Sequence, residues 1–333
     1  MRIATGLLAI TLFCPLALAD SAQRAQPPTN VATLSDHEKL LDPIQVDSLT
    51  VTPIVATKPD PNPPDLIVLD EAMPKKLVRI KEVEGGAVNS LSLTNNADKP
   101  LFLLAGEVII GGKQDRIIGR NTIIPAKTTQ DVPVFCVEHG RWTEQTKEFA
   151  TAKALAHGRL RGQASFSTQQ GVWDEVAKKN EARKIENKTG TYRQVAEQQA
   201  SGSLGQMEQK VETALGKLTD EQKSNLVGFA IAINGKVATV DLFESHALFA
   251  KLEDKLVRSY VTEAVDIKAE KDVRPPPPAA VVEFMADPDQ AADEDSYETK
   301  AGKTQVQKGH RAAKAKVIYD KKAQPVYKGY SRE

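Results

Sequence analysis

The sequence predicts an α+β fold: a β-rich sandwich or barrel-like sheet with helices packed on it. Three observations carry this expectation. The first half alternates short β-rich runs with Gly, Asn, Asp and Pro turns, the spacing of a sheet that closes or stacks. Later segments place apolar residues at helical spacing. Between these segments, Asn234-Gly235 sits between two β-rich runs, which predicts a tight hairpin and ties the helical half to the sheet. The chain has 333 residues, enough for one large domain or two ordinary ones.

Residues 1–19 have the zones of a secretory signal: positive Met1-Arg2, an apolar run from Ile3 to Leu18, and small residues in Ala17-Leu18-Ala19. Cleavage is expected after Ala19. The run is short for a membrane span, which needs about 20 apolar residues, and Pro15 interrupts it. Cys14 follows Leu12-Phe13, which is not a lipidation context. The expectation is a periplasmic or secreted protein without a stable membrane anchor once the signal is removed. Residues 20–40 read as a flexible leader around Pro27-Pro28.

The core domain is expected over 41–274. Strand-like runs cover 44–56, 66–69, 77–83, 88–93, 101–110, 116–124 and 131–137, with a stiff Pro-rich turn at 58–64. Gly85-Gly86, Asn95 to Asp98, Gly111-Gly112 and Pro125 to Lys127 are the intervening turns. A charged helix is expected over 171–188, around Trp173 and Val176. A better one spans 204–218, where Leu204, Met207, Val211, Leu215 and Leu218 share a face. It closes at Thr219, which can cap a new turn with Gln222. The hairpin strands 227–233 and 237–243 follow. A helix over 246–265 then buries Leu248, Phe249, Leu252, Leu256, Tyr260 and Val261. Residues 275–333 read as a Pro-rich linker and a charged tail, acidic over 287–298 and basic over 300–328. This tail is either solvated or adds strands at 281–285 and 316–319.

Lys plus Arg equals Asp plus Glu at 44 each, so no global field draws the chain to nucleic acid or anionic lipid, and no nucleic-acid partner is expected. An aromatic content of 5% weakly disfavours a sugar-binding or single-stranded nucleic-acid platform built on stacking. Of the 2 cysteines, Cys14 falls in the signal, which leaves Cys136 without an internal disulfide partner. Clustered-cysteine zinc sites are excluded. Neither a metal nor a cofactor is expected.

The informative stretch is Leu101 to Trp142. If Leu101 to Ile110 is one regular strand, Glu107 shares an apolar face with Leu101, Leu103, Ala105 and Ile109. An unpaired buried carboxylate is costly, so Glu107 should be paired, neutral or facing a cavity. A bulge at Gly106 would instead turn it outward. Arg116, Arg120 and Arg141 are the expected partners for a buried pair. Lys113, Gln114, Asp115 and Arg116 follow Gly111-Gly112 in one polar loop. Cys136 alternates with Val132 and Val134 as a small core residue. Pairing it with His139 as an activated thiol is the sharper alternative.

The runs GEVIIGGKQDR and VPVFCVEHGRW resemble the signature of the ARG-and-rhodanese-phosphatase-superfamily-associated protein domain, where ARG stands for ADP-ribosylglycohydrolase. The resemblance spans about residues 40–270. It carries over Glu107, Gly111, Gly112, Lys113, Gln114, Arg116, Cys136, Glu138, Gly140, Arg141 and Trp142. It implies an association with enzymes of ADP-ribose and NAD-derived metabolism, and no defined activity.

The leading functional expectation is an exported ligand-binding domain for a nucleotide-derived (ADP-ribose- or NAD-related) or other small anionic ligand. Glu107, Lys113, Gln114, Arg116, Arg141 and Trp142 would line one pocket together with Glu138. Arg116 and Arg141 would grip anionic groups by forked hydrogen bonds, and Trp142 would supply a flat wall. One alternative is a hydrolase with Glu107 or Glu138 as general base. Another is an envelope structural or interaction protein, in which these residues form a buried salt-bridge network. Convergence on an open cavity favours the first two, and pairing within the core favours the third.

Overall fold

The computed structural model describes residues 32–85, 87–166, 168–198, 202–291, 293–322 and 325–332. The expected signal, residues 1–19, and most of the expected leader lie outside these. The Asn234-Gly235 hairpin forms as the sequence predicts, with both residues at positive φ (46° and 74°), as a type I′ turn requires. It joins Leu226–Ile233 to Lys236–Phe243, and this pair is the middle of a ten-stranded antiparallel sheet. Leu49–Ala56 flanks it on one side. On the other side come Pro325–Arg332, Ala312–Tyr319, Gly302–Lys308 and Asp293–Thr299 in turn.

Of the two expectations for the chain beyond Pro278, solvated tail or added strands, the structure has strands. In Gly302–Lys308, Gly302, Thr304 and Val306 are buried in alternation, while the intervening Lys303 faces outward. The strand expected at 281–285 is instead part of a helix, Pro278–Ala286. Proline fits its first turn, and Val281 and Phe284, three apart, are its buried residues.

A second sheet of six antiparallel strands runs in the order Ala150–Leu155, Glu107–Ile110, Arg116–Ile118, Thr128–Cys136, Ser90–Asn95, Val78–Glu82. The single strand expected over 101–110 is broken in two, Leu101–Leu103 and Glu107–Ile110, by Gly106 at φ +92°. Leu101–Leu103 pairs with Thr122–Ile124. The run expected at 66–69 makes only an isolated bridge at Ile67 before a short helix, Leu69–Ala72. The architecture is thus α+β, with antiparallel sheets, one of them curled into a half-barrel, and helices packed on them.

The helices bury the stripes that predict them. Gly202–Leu215 buries Leu204, Met207, Val211 and Leu215, and Thr219 forms the expected reciprocal cap with Gln222. The helix expected over 246–265 is divided into His246–Phe249 and Glu253–Ala264. Both cover one face of the large sheet, in a core that includes Phe229, Phe243, Phe249, Leu256 and Tyr260. Pro278–Ala286 covers the opposite face through Val281 and Phe284. Gly158–Phe166 and Gln169–Ala182 pack together beside the six-stranded sheet. Among the described residues no helix is long and apolar enough to cross a membrane.

Candidate functional site

The charged residues singled out in the sequence fall into three places. Glu107 is 2% exposed, and the break at Gly106 does not turn it out. Its carboxylate accepts the Leu104 amide at 2.9 Å and pairs with Lys255 of Glu253–Ala264. Lys255 also reaches Asp70 at 3.0 Å. The partner is therefore neither Arg116, Arg120 nor Arg141, as the sequence suggests, but a lysine brought in by a helix packed across the strand. Burial pulls the Lys255 ammonium down, but the two carboxylates outweigh it and hold its pKa above the usual value.

The second place is a buried lattice around Asp115, which is 0% exposed. One of its oxygens accepts the Gly111 amide at 3.0 Å and Arg141 Nη2 at 3.3 Å. Arg193 clamps both oxygens, at 2.6 and 2.9 Å, and Thr191 Oγ1 donates at 2.9 Å. Glu138 Oε2 accepts the Asp115 amide at 3.0 Å and Arg141 Nε at 2.9 Å. Burial pushes the Glu138 carboxyl up, yet these donors win and its pKa lies below the usual value. Gln114 donates to the Glu138 carbonyl at 2.6 Å, and Arg116 Nη1 reaches the Gln114 amide oxygen at 3.3 Å. Gln114, Arg116, Glu138 and Arg141 are thus brought together, and all are buried. Cys136 lies beside them with its thiol pushed up by burial. His139 instead packs edge-on to Trp173, with ring centres 4.5 Å apart.

Third, Trp142 is 52% exposed, and Lys113 Nζ sits 5.4 Å from its ring centre, a surface cation–π pair.

An open cavity with polar groups at its base lies elsewhere. Gly158–Phe166 crosses the strands Lys236–Phe243 and Pro325–Arg332, and between them runs a groove of about 660 Å³. At its inner end is a recess of about 20 Å³, which shares Gly158, Gly162, Phe166, Thr239 and Ser331 with the groove. The recess is floored by a closed charge cluster. Arg161 binds Asp241 through both terminal nitrogens, at 2.9 and 2.6 Å. Tyr260 and Tyr327 donate to the same carboxylate at 2.6 and 2.5 Å. Burial alone would raise Asp241, but Arg161 and the two hydroxyls hold it below the usual carboxylate range. Burial and the neighbouring carboxylate keep both tyrosines protonated.

Small residues make this geometry possible. Gly329 is the cross-strand partner of Asp241, and a Cβ there would lie 2.2 Å from Tyr327 Oη. At Gly106 a Cβ would lie 2.5 Å from Arg161 Cγ, so the broken strand in the signature segment backs the arginine. Gly158 and Gly162 sit one helical turn apart and let the helix approach Thr239 and Ser331.

Two buried polar atoms in this recess have no hydrogen-bond partner, Arg161 Nε and Ser331 Oγ. Buried polar groups are nearly always satisfied, and these two unpartnered atoms belong to residues that line the same small cavity. One signal in the sequence points to this site. Asp241 is the lone charge in the β-rich run VATVDLF, the same anomaly as Glu107 among its apolar neighbours. Arg161, Tyr260, Tyr327 and Ser331 had no such signal. Among the described residues no three His, Cys, Asp or Glu side chains cluster as metal ligands.

A family model described as the ARG and Rhodanese-Phosphatase-superfamily-associated Protein domain matches residues 37–327, and the chain belongs to this family. Neither a curated protein nor a solved structure matches the chain.

Proposed function

We propose that this member of the family is a ligand-binding domain that works outside the cytoplasm after loss of residues 1–19. In this reading the groove between Gly158–Phe166 and the two strands holds a small polar ligand. The observation that carries it is the coincidence of Arg161 Nε and Ser331 Oγ, both buried and unpartnered, at the inner end of a groove of ligand size. At the rim, Glu175 and Glu263 are engaged by His157 and Arg159. Lys178 and Lys236 also line the groove. Anionic groups of the ligand would meet these lysines, with an apolar portion against Phe166 and Ile267. A nucleotide-derived molecule related to ADP-ribose or NAD combines such parts, and the family's association with ADP-ribosylglycohydrolases supports that class.

The test is mass spectrometry of small molecules retained by the purified protein, followed by titration calorimetry with ADP-ribose and NAD. Binding that disappears in Gly162→Leu, which fills the groove from its helical wall, is the expected result. Absence of both a retained molecule and any heat would sink the reading. N-terminal sequencing of the exported chain should begin at Asp20.

The signature residues support a second role beside this one. Glu107 and Glu138, the carboxylates proposed for a hydrolase, do not line the groove, and each is occupied by cations and amides. Their arrangement favours a charge lattice that fixes the core over a catalytic pair.

A further inference from the structure

We propose that the recess beneath the groove is a subsite for one neutral hydroxyl group, so that the ligand is a polyol, a sugar-like molecule inserted hydroxyl-first. This rests on the groove being the ligand site and names the chemistry that site selects.

Three features of the recess converge on a hydroxyl. The first is charge. The Arg161 guanidinium is already matched by Asp241, whose oxygens take two bonds from Arg161 and one each from Tyr260 and Tyr327. An entering carboxylate or phosphate would bring a second negative charge beside Asp241 with no free cation to offset it. The second is hydrogen-bond type. What remains free is one pure donor, Arg161 Nε–H, and one hydroxyl that both donates and accepts, Ser331 Oγ. A ligand hydroxyl answers both, because it accepts from Arg161 and donates to Ser331. A carboxylate would accept from both as well, so charge and size are what exclude it. The third is size. The recess measures about 20 Å³, room for one oxygen and not for a planar carboxylate or a tetrahedral phosphate. Anionic groups belong in the wider groove outside.

The full mature chain is titrated with D-ribose, D-glucose and myo-inositol, and in parallel with acetate and inorganic phosphate. Saturation-transfer NMR covers weak binding. At least one polyol should bind. Ser331→Val, which fills the recess and removes its acceptor, should weaken that polyol about tenfold or more, the worth of a buried hydrogen bond. Ser331→Ala should weaken it less, and it keeps the test valid if the valine variant folds poorly. Phosphate binding should be unaffected by either. The hydroxyl subsite is overturned if no polyol binds, if polyols bind both variants as they bind wild type, or if the serine variants lose phosphate instead. Gly162→Leu separates this failure from that of the groove. If it abolishes phosphate or ADP-ribose binding while the serine variants leave polyols untouched, the subsite is wrong and the groove stands. If Gly162→Leu changes no binding, the groove falls as well.

Discussion

Replacing Asp115 by Asn tests whether the signature charges hold the core together. Asp115 is 0% exposed and accepts from Gly111, Thr191, Arg141 and Arg193. The amide keeps the shape but turns an NH₂ group toward guanidinium donors. Breaking a buried ion pair by removing one partner costs about 3–5 kcal/mol, because the other charge stays buried. Here relief is partial. The Arg193 side chain is 28% exposed and can turn to water, while Arg141, at 7%, keeps Glu138. The lower end, about 3 kcal/mol, is therefore expected. For a chain of this size that lowers Tm by roughly 6 °C, at about 2 °C per kcal/mol. Urea unfolding should show the loss in the midpoint with the slope unchanged. Asp98→Asn provides the contrast: its pair with Lys127 is 91% and 60% exposed, and its removal should change stability by less than about 0.5 kcal/mol. A loss at Asp115 no larger than at Asp98 would refute the lattice argument.

Three further outcomes follow from the same geometry. Lys255→Met leaves the Glu107 and Asp70 carboxylates facing each other without their cation, so it should destabilise by about 3–5 kcal/mol. Glu107→Gln should cost less, since Lys255 keeps Asp70, and urea melts of the two variants compare them directly. Glu138, Glu175 and Asp241 all have pKa values lowered on folding, so their contribution is present above the unfolded carboxylate range and is lost as pH falls through the folded values. Tm should fall as pH drops below about 4.5, and Glu138→Gln should flatten that dependence; a Tm unchanged down to pH 3 would contradict the pairing. Gly106→Ala introduces a Cβ at φ +92°, 2.5 Å from Arg161 Cγ, and should cost more than the roughly 1 kcal/mol of left-handed backbone alone. The same variant should lose ligand affinity in calorimetry by shifting Arg161.

What was legible in the sequence was local. The Asn234-Gly235 hairpin, the Thr219–Gln222 cap and the stripe from Leu204 to Leu215 each depend on residues a few positions apart, and all form. Glu107 could be read as a buried carboxylate in need of a partner, but not as the partner of Lys255, 148 residues away. No spacing rule links a strand residue to a helix that packs on it from so far along the chain. The tail misleads for a different reason. Acidic and basic blocks look solvated when read as charge. Read as alternation, Thr304 and Val306 point inward while Lys303, Gln305 and Gln307 on the other face are only half-buried. The proline run hides a helix start because proline suits both an extended segment and a first helical turn.

The candidate site shows why a density of charge was a poor guide to it. Glu107, Asp115, Glu138 and Arg141 are prominent in the sequence, yet each meets its partners within the protein, and a saturated group has little left to offer a ligand. Arg116 keeps two unpartnered nitrogens, Nε and Nη2, but lines neither the groove nor the recess, whereas Arg161 keeps one and lines the recess. Two Arg161 nitrogens are closed onto Asp241, and the third, Nε, is buried without a partner, as is Ser331 Oγ in the lining of the same cavity. The signature segment still bears on that site through its backbone. Gly106 breaks the strand, packs under the Arg161 stem and leaves Ala105 in the wall of the recess. Asn121 holds the Ala105 amide at 2.7 Å and lines the recess from the same side. The charges that make the segment conspicuous fix its frame, and its inconspicuous glycine and alanine shape the space where a ligand would sit.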